Sequence, residues 1–444
     1  MGRLVLLPII MLATLLSACG DGGWFGSPEK PTLPGERISI LTRDVTPQVD
    51  AALGAVRPGL AAATDGAWPQ PYGDAAHAAG HRALADRPTL AWSADIGEGE
   101  NGEERRIVYP PVASDTAVFA LDAGDVVSAW SIASGQQLWR VDPKPDDEED
   151  GFGGGLALDN GVLYFATGWA EVIAFDAATG AERWRTRLVT PSRAAPTVQD
   201  GRVYAVTIDN RVIALDAESG RSIWIYESPP ATASLLGGAS PAAANGALIA
   251  AMTTGEIVAF RAANGRITWD DSLTAVRRVG IAEAIPAVRA LPVIVDGRVF
   301  AIGAAGFMAG IDFATGVRLW DKQIGGAETP AVSGGFVYLT TDAGALVAVS
   351  ADEGLVAWAT DMKVAAGDIS DKDASPFVRL YAGPVAAGGN LIVVRGDGQL
   401  LFFRPEDGVL AHQIALPGRT KVAPIIANRT LFVLTEAGVL QAYR

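Results

Sequence analysis

The sequence is poor in cysteine, histidine and charged residues. Its 444 residues include one Cys and three His, and 19% of them are charged, below the roughly 25% of an average soluble domain. A single Cys excludes a disulfide scaffold and leaves too few thiolates and imidazoles for a typical structural zinc site. With 49% hydrophobic residues, the chain also lacks the composition of a disordered protein, which is rich in charge and poor in apolar residues.

Positive charge is scarce as well. Only 35 Lys and Arg accompany 50 Asp and Glu, which gives a net charge of −15 at pH 7. A protein that binds nucleic acid electrostatically needs a clustered cationic surface to displace counterions from the phosphates. The composition therefore argues against nucleic acid as a partner.

The single cysteine follows an N-terminal secretory signal. Arg3 provides the positive start, and the run from Leu4 to Leu16 is almost wholly apolar but too short to span a bilayer comfortably. The run ends in Leu-Ser-Ala-Cys-Gly at residues 16–20, which resembles a bacterial lipobox. We therefore expect a signal peptide at residues 1–18 and a lipidated Cys19; the alternative is an ordinary signal with an incidental cysteine.

The residues after Cys19 predict the location and a tether. Gly20 follows the cysteine where an Asp would mark retention in the inner membrane, so we expect an anchor in the outer membrane that faces the periplasm. The several acyl chains of a bacterial lipoprotein would hold it firmly. Prolines 28, 31 and 34 break regular structure. We expect a flexible tether over residues 19–66 and a folded body over 67–444.

The folded body is built from a repeat. In each copy a glycine in a predicted tight turn is followed four residues later by a large aromatic residue, with a period of roughly 40–50 residues. The seven pairs are Gly135 with Trp139, Gly180 with Trp184, Gly220 with Trp224, Gly265 with Trp269, Gly316 with Trp320, Gly354 with Trp358, and Gly408 with His412. This period, with four short strands per unit, indicates a β-propeller. We expect the Trp side chains to pack between neighbouring blades, not to form a ligand cage.

Counting the units gives the number of blades. Eight first strands are predicted, near Val112, Leu156, Val198, Ala242, Val293, Val332, Val385 and Ile425. The last unit stops one strand short at Arg444, whereas Leu90-Ala91-Trp92 has the Trp but lacks the preceding strands. The sequence therefore predicts an all-β, eight-bladed propeller of four-stranded antiparallel blades, in which the N-terminal strand closes the last blade and hides the sheet edges. Seven blades is the alternative.

The motif Ala-x-Asp-Ala-x-Thr-Gly-x-x-x-Trp at residues 174–184 resembles the tryptophan-docking repeat of the quinoprotein (PQQ-like) propellers. Two families carry it in this setting: PQQ-dependent dehydrogenases, and the BamB family of propeller lipoproteins in the outer-membrane β-barrel assembly machinery. From Leu90 to Arg444, and with the lipobox, the chain resembles the BamB family. That resemblance implies a non-enzymatic scaffold that binds BamA and other subunits of the machinery, with unfolded outer-membrane proteins as further candidate partners.

The resemblance also indicates a docking segment. Residues 233–241 resemble the stretch by which the family docks on BamA, and this implies partner contacts at Ser234, Leu235, Leu236 and Gly237. The family's Arg is Leu236 here, and its downstream acidic pair is replaced by Ala287-Val288-Arg289. The contacts would then be apolar and cationic, with contributions from Arg277, Arg278 and Arg289. The alternative is that Leu235 and Leu236 are core residues of an interblade loop.

A PQQ-dependent oxidoreductase is the alternative function. That family places its cofactor under a disulfide of adjacent cysteines and binds Ca²⁺, whereas this chain has no cysteine besides Cys19. His77 and His81 lack the Glu of a zinc-binding H-E-x-x-H motif, and His412 replaces a packing Trp. The acidic run at 146–150 lacks the alternating ligands and fixed Gly of a Ca²⁺ loop. We expect no catalytic, cofactor-binding or metal-binding residues.

Overall fold

The computed structural model describes residues 46–54, 56–101, 105–145, 154–192, 194–228, 238–273, 288–303, 306–367 and 381–444. Within these ranges the chain forms 33 strands, one short helix α1 (Met362–Ala366) and one 3-10 turn (Ala51–Leu53). No helix in the described ranges is long and apolar enough to cross a membrane. Several predicted features lie outside the described residues: the signal peptide, Cys19, the acidic run at 146–150, Ser234, Leu235, Leu236, Gly237, Arg277 and Arg278.

The strands form eight sheets, which we number as blades 1 to 8 around the ring. In chain order, β1 (His81–Arg82) and β2 (Leu90–Asp95) come first. Blade 2 contains β3 (Val112–Ala113), β4 (Ala117–Leu121), β5 (Val127–Ser131) and β6 (Gln137–Val141); blade 3 contains β7 (Gly155–Asp159), β8 (Val162–Ala166), β9 (Glu171–Asp176) and β10 (Glu182–Arg187). Blade 4 contains β11 (Thr197–Gln199), β12 (Arg202–Val206), β13 (Arg211–Asp216) and β14 (Ser222–Glu227); blade 5 contains β15 (Ala242–Ala244), β16 (Ala247–Ala251), β17 (Glu256–Arg261) and β18 (Ile267–Ser272).

The second half of the ring repeats this arrangement. Blade 6 contains β19 (Val293–Val295), β20 (Arg298–Gly303), β21 (Phe307–Asp312) and β22 (Arg318–Lys322); blade 7 contains β23 (Ala331–Ser333), β24 (Phe336–Thr340), β25 (Ala345–Ser350) and β26 (Val356–Asp361). Blade 8 contains β27 (Tyr381–Ala387), β28 (Asn390–Arg395), β29 (Gln399–Phe403) and β30 (Leu410–Ala415), with β1 added beside β27. Blade 1 contains β31 (Ile425–Ala427), β32 (Thr430–Leu434) and β33 (Val439–Tyr443), completed by β2.

The eight-bladed prediction is confirmed, and the seven-bladed alternative is wrong. All eight predicted first strands are present, and each pairs antiparallel with the strand that follows it. The N-terminal strand β2 pairs antiparallel with the C-terminal β33, with Trp92 opposite Ala442. First strands of several neighbouring blades contact one another, for example β7 with β11 and β11 with β15. We call these first strands the inner strands, because they surround the central channel.

The sequence accounts for the blade strands through burial on both faces. All five residues of β8 and all five of β24 are buried, which explains their continuous apolar runs, since each sheet is covered by a neighbouring blade on either side. The outer strands are half exposed instead: β30 alternates between partly buried and exposed positions. The apolar excess of the composition is therefore the core of the ring.

Seven of the eight blades are joined to the next blade by a tryptophan. The indole N–H donates to a backbone carbonyl in the outer hairpin turn of the following blade, at 2.8–3.0 Å in seven junctions. The indole ring lies directly on the glycine of that turn: a Cβ added at Gly265 would lie 2.6 Å from the Trp224 ring. The glycine is therefore needed for close approach as well as for its positive φ. The predicted packing role of these Trp residues is confirmed.

The eighth junction explains why His412 stands in place of a Trp. Blade 1 has no hairpin turn between β33 and β2, because these two strands come from distant parts of the chain. An indole at position 412 would therefore have no matching turn to pack on. His412 instead stacks on Phe402 of its own blade, with 4.2 Å between ring centroids. Within blade 1, Thr89 and Arg444 extend the pairing of β2 with β33, because their backbones exchange two hydrogen bonds.

An N-terminal segment that we call the strap, residues 59–82, contacts the inner part of every blade. Blade 7 holds the Gly59 carbonyl through Tyr338 and the Ala61 amide through Ser333. The remaining hydrogen bonds are, in ring order from blade 1, Asn428 N to Gly66 O, Trp68 with Ala113 in both directions, Leu158 N to Pro69 O, Val198 with the Gln70 side chain in both directions, Ala243 N to Ala75 O, and Ile294 N to Ala76 O. On blade 8, β1 pairs parallel with β27. The strap thus crosses one end of the channel and ties all eight blades together.

The structure differs from the predicted boundary of the tether. Asp50 already contacts the ring: its backbone N–H donates to Val356 O at 2.9 Å, and its carboxylate accepts from Val356 N at 2.8 Å and from Lys322 Nζ at 3.1 Å. The compact unit begins at Thr46, not at residue 67. Proline content indicates where regular strands cannot form, but extended segments bind through backbone groups without needing a strand pattern. A flexible tether stays a prediction for the residues before Thr46.

The strap predicts an acid-sensitive step in stability. His77 is 2% exposed, and burial lowers its pKa to about 4, partly opposed by its hydrogen bond to Pro292 O. Between pH 6.5 and 4 this histidine is protonated in the unfolded chain but neutral in the folded protein. The free energy of unfolding should therefore fall by about 3 kcal/mol as the pH is lowered through this range. In His77→Asn the side-chain amide replaces the imidazole N–H as a donor and does not titrate, and Asn tolerates the positive φ of 58° at this position.

Urea unfolding of both proteins at pH 7 and pH 4.5 measures this effect. The loss of stability between the two pH values should be smaller for His77→Asn than for the wild type. An equal loss in both proteins would show that His77 does not cause it.

Candidate partner-binding site

The two ends of the ring differ in what they present. Strands alternate in direction within a blade. The turn between the first and second strands and the turn between the third and fourth strands therefore lie at the same end of the ring, which we call the turn face. The connections from one blade to the next join strand ends at the other end, the loop face. The strap bonds to the ends of the inner strands near their turns, at residues such as Val198 and Ala243, and so covers the channel at the turn face.

In the sequence, the predicted docking residues fall in two of the segments that link one blade to the next. Ser234 to Gly237 lie in the connection from β14 to β15, and Arg277, Arg278 and Arg289 lie in the connection from β18 to β19. Of these residues the structure describes Arg289 alone. The structure thus places Arg289, whereas the contacts of the other six stay predictions.

Arg289 lies at a small cavity in the channel, which we call the central well. Its volume is about 90 Å³, and Gly238, Ser240, Arg289 and Glu328 are among its wall residues. Tyr72 of the strap also lines it. The well therefore joins the ends of the two predicted docking connections to the strap.

Three charged groups interact around the well. Burial raises the pKa of the Glu328 carboxyl to about 7. The charge of Asp342 adds to this increase, whereas the Arg289 guanidinium and a hydrogen bond from Gly383 N reduce it. Burial likewise raises the pKa of Asp342, again opposed by Arg289. Arg289 is thus partly buried and held near two carboxyl groups.

Tyr72 was not identified as a site residue from the sequence. Tyr72 is partly buried, and desolvation of its phenol raises its pKa; the charge of Glu328 adds to the increase, while Thr329 and the charge of Arg289 reduce it. Its ring packs against two separate core clusters, one of blades 1, 2 and 8 and one of blades 5 and 6. The signal that could have found this segment is the Trp-Pro-Gln-Pro-Tyr-Gly run at residues 68–73, which is rich in apolar residues for an N-terminal linker.

A second, larger cavity of about 520 Å³ opens at the turn face. Asp74, Asp115, Asp159 and Asp200 are among its lining residues. Burial and the charge of Asp200 raise the pKa of Asp159, although a hydrogen bond from Asn160 opposes this. Across the described residues, no three His, Cys, Asp or Glu side chains are grouped so that they could hold a metal ion.

Comparisons with known proteins agree with this architecture. The chain is 26% identical to the outer membrane protein assembly factor BamB of Yersinia pestis, over 80% of this chain and 88% of that protein, and 25% identical to BamB of Escherichia coli over the same shares. The crystal structure of Moraxella catarrhalis BamB superposes with a TM-score of 0.66 at 21% identity, over 81% of this chain and all of that one.

Enzymes share the fold. A quinohemoprotein alcohol dehydrogenase from Comamonas testosteroni superposes with a TM-score of 0.65 at 16% identity, over 85% of this chain and 80% of that one. At this identity the likeness shows the architecture alone. The family model described as outer membrane protein assembly factor BamB matches residues 122–360 and 363–444, which is more than half of the chain. This chain therefore belongs to the BamB family.

Proposed function

We propose that this protein is a non-enzymatic scaffold subunit of the outer-membrane β-barrel assembly machinery, which binds BamA and assists the assembly and insertion of barrel proteins. The observation that carries the proposal is the match of the family model to almost the whole blade region, residues 122–360 and 363–444. The relatives at 25–26% identity are named outer membrane protein assembly factors. The dehydrogenases that share the fold support the oxidoreductase alternative by architecture only.

The proposed docking surface is the loop face around the central well. Its apolar part consists of Leu235 and Leu236 with Ser234 and Gly237, and its cationic part of Arg277, Arg278 and Arg289. Gly238 and Ser240, which follow the apolar part directly, line the same well as Arg289. Loops that project from a rigid scaffold are where propellers bind partners, and Arg is among the residues that dominate the binding energy of interfaces.

The mechanism is one of positioning. Lipidated Cys19 would keep the ring at the periplasmic side of the outer membrane, and the ring would hold the periplasmic domains of BamA in an orientation that accepts incoming precursors. A scaffold of this kind must not deform under load. Seven tryptophan junctions and a strap bonded to all eight blades provide that rigidity.

Charge substitutions test the apolar part of the docking surface. The double variant Leu235→Asp with Leu236→Asp should lower BamA affinity at least about tenfold, because truncating or charging central contacts typically costs more than 1 kcal/mol. Co-purification from solubilised outer membranes and the dissociation constant for the BamA periplasmic region measure the loss. The matched control is Leu138→Asp with Leu319→Asp, two half-exposed leucines of outer strands β6 and β22.

Two results would contradict the docking proposal. The first is wild-type recovery of BamA with the charged docking variant. The second is a large fall in Tm for that variant but not for the control, which would identify Leu235 and Leu236 as core residues.

Removal of the cysteine thiol tests the anchor. Cys19→Ala should move most of the protein from the membrane fraction to the soluble periplasmic fraction, because no acyl chain can then be attached. Ser17→Ala, which keeps the thiol, is the control and should remain in the membrane fraction. Equal membrane retention of both variants would refute lipidation at Cys19.

A further inference from the structure

We propose that Tyr72 of the strap is a positioning residue of the docking surface: its ring, inside the channel, holds Arg289 in the orientation in which Arg289 contacts BamA. This inference rests on the proposed function, because it concerns the same surface. It adds a residue that lies in the channel, in a part of the sequence that resembles no docking motif.

Packing provides the first link. Val288 and Leu291 flank Arg289 and are 3% and 8% exposed, within the core cluster of blades 5 and 6. Tyr72 packs against this cluster and also against the cluster of blades 1, 2 and 8. Tyr72 therefore bridges two core clusters, one of which contains Val288 and Leu291 on either side of Arg289.

Hydrogen bonding provides the second link. The Leu291 backbone N–H donates to the Thr329 hydroxyl at 2.9 Å. Tyr72, Leu291 and Thr329 all line the central well. Leu291, which is two positions along the chain from Arg289, is therefore fixed to Thr329 in a wall of the well that Tyr72 also lines.

The strap holds Tyr72 rigidly from both sides. Before it, the Gln70 side chain makes two hydrogen bonds to Val198, at 2.8 and 2.9 Å. After it, the carbonyls of Ala75 and Ala76 accept from the inner strands of blades 5 and 6. Tyr72 itself has a φ of 53°, a conformation that is costly for a bulky residue and persists only where its surroundings impose it.

The neighbouring carboxyl groups explain why the orientation of Arg289 matters. Glu328 and Asp342 both interact electrostatically with Arg289. Without the Tyr72 ring the well that Tyr72 and Arg289 both line would be larger, and Arg289 could move further into it, closer to Glu328. An Arg289 that pairs inward is lost to a partner on the loop face.

A double-mutant cycle tests the inference on the full-length lipoprotein in detergent, with the purified BamA periplasmic region as the probe. Tyr72→Ala should weaken binding about tenfold, and Tyr72→Phe, which keeps the ring, should restore it to within about threefold of the wild type. In an Arg289→Gln background, Tyr72→Ala should cause no further loss. Tyr72→Leu replaces the Ala variant if that variant does not fold.

Tyr338→Ala is the matched control. Tyr338 is fully buried, whereas Tyr72 is partly buried, and it contacts the strap through Gly59 O at 2.8 Å, but it packs in the cluster of blades 7 and 8. This variant should lower the Tm to a similar extent and leave the affinity for BamA within about twofold. The exchange rate of the Leu291 amide proton should rise in Tyr72→Ala and stay unchanged in Tyr338→Ala.

The outcomes separate this inference from the proposed function. Additive losses in the cycle, or equal losses for Tyr72→Ala and Tyr338→Ala, would overturn the positioning role while leaving BamA binding intact. An unchanged affinity in Arg289→Gln would overturn it as well. If the wild-type protein does not bind BamA, the proposed function fails, and an unaltered Leu291 exchange rate in Tyr72→Ala would overturn the positioning independently.

Discussion

The contact between one tryptophan and the next blade's glycine turn is the interaction on which the ring depends. In this contact an indole ring packs on a glycine, and the indole N–H donates a hydrogen bond to a backbone carbonyl of the same turn. The contact recurs at seven junctions. A hydrogen bond of this kind contributes about 1 kcal/mol, and the buried ring contributes more. Because neither partner tolerates replacement by a residue of another size, the repeat is visible in the sequence. The turn carbonyl and the glycine also fix the spacing of neighbouring blades, and hence the width of the channel.

The strap solves a problem that a ring of identical junctions leaves open. Blade 1 is assembled from two distant parts of the chain, and its junction with blade 8 has no tryptophan. The strap connects both of these blades, through Gly66 and through β1, to the six others. The strap contacts residues that are far from it in the sequence: Ala61 and Ser333 are 272 positions apart. The strap also makes the two ends of the channel unequal, since it covers the turn face and leaves the well among the interblade connections of the loop face.

The sequence predicted the propeller well because the signals for it are local and repeated. A glycine with positive φ, a Trp four residues later and apolar runs between turns each have one structural solution, and seven copies reinforce one another. The strap could not be predicted in the same way, since it binds mainly through backbone groups of residues such as Pro69, Ala75 and Ala76, which any sequence offers. The docking residues came from a family resemblance, and physical chemistry alone would not have selected Leu235 or Leu236. Arg289 was selected for its charge, but its place beside Glu328 depends on how three blades meet, which no local pattern encodes.

The protein combines a rigid ring, one covered end of the channel and a proposed docking surface at the opposite face. An electron cryo-microscopy structure of this protein in complex with BamA tests most directly whether BamA binds at the loop face around the central well. We predict contacts from the connections between blades 4 and 5 and between blades 5 and 6, with Arg289 at the interface. Density for BamA on the turn face, over the strap, or along the outer strands alone would contradict the account.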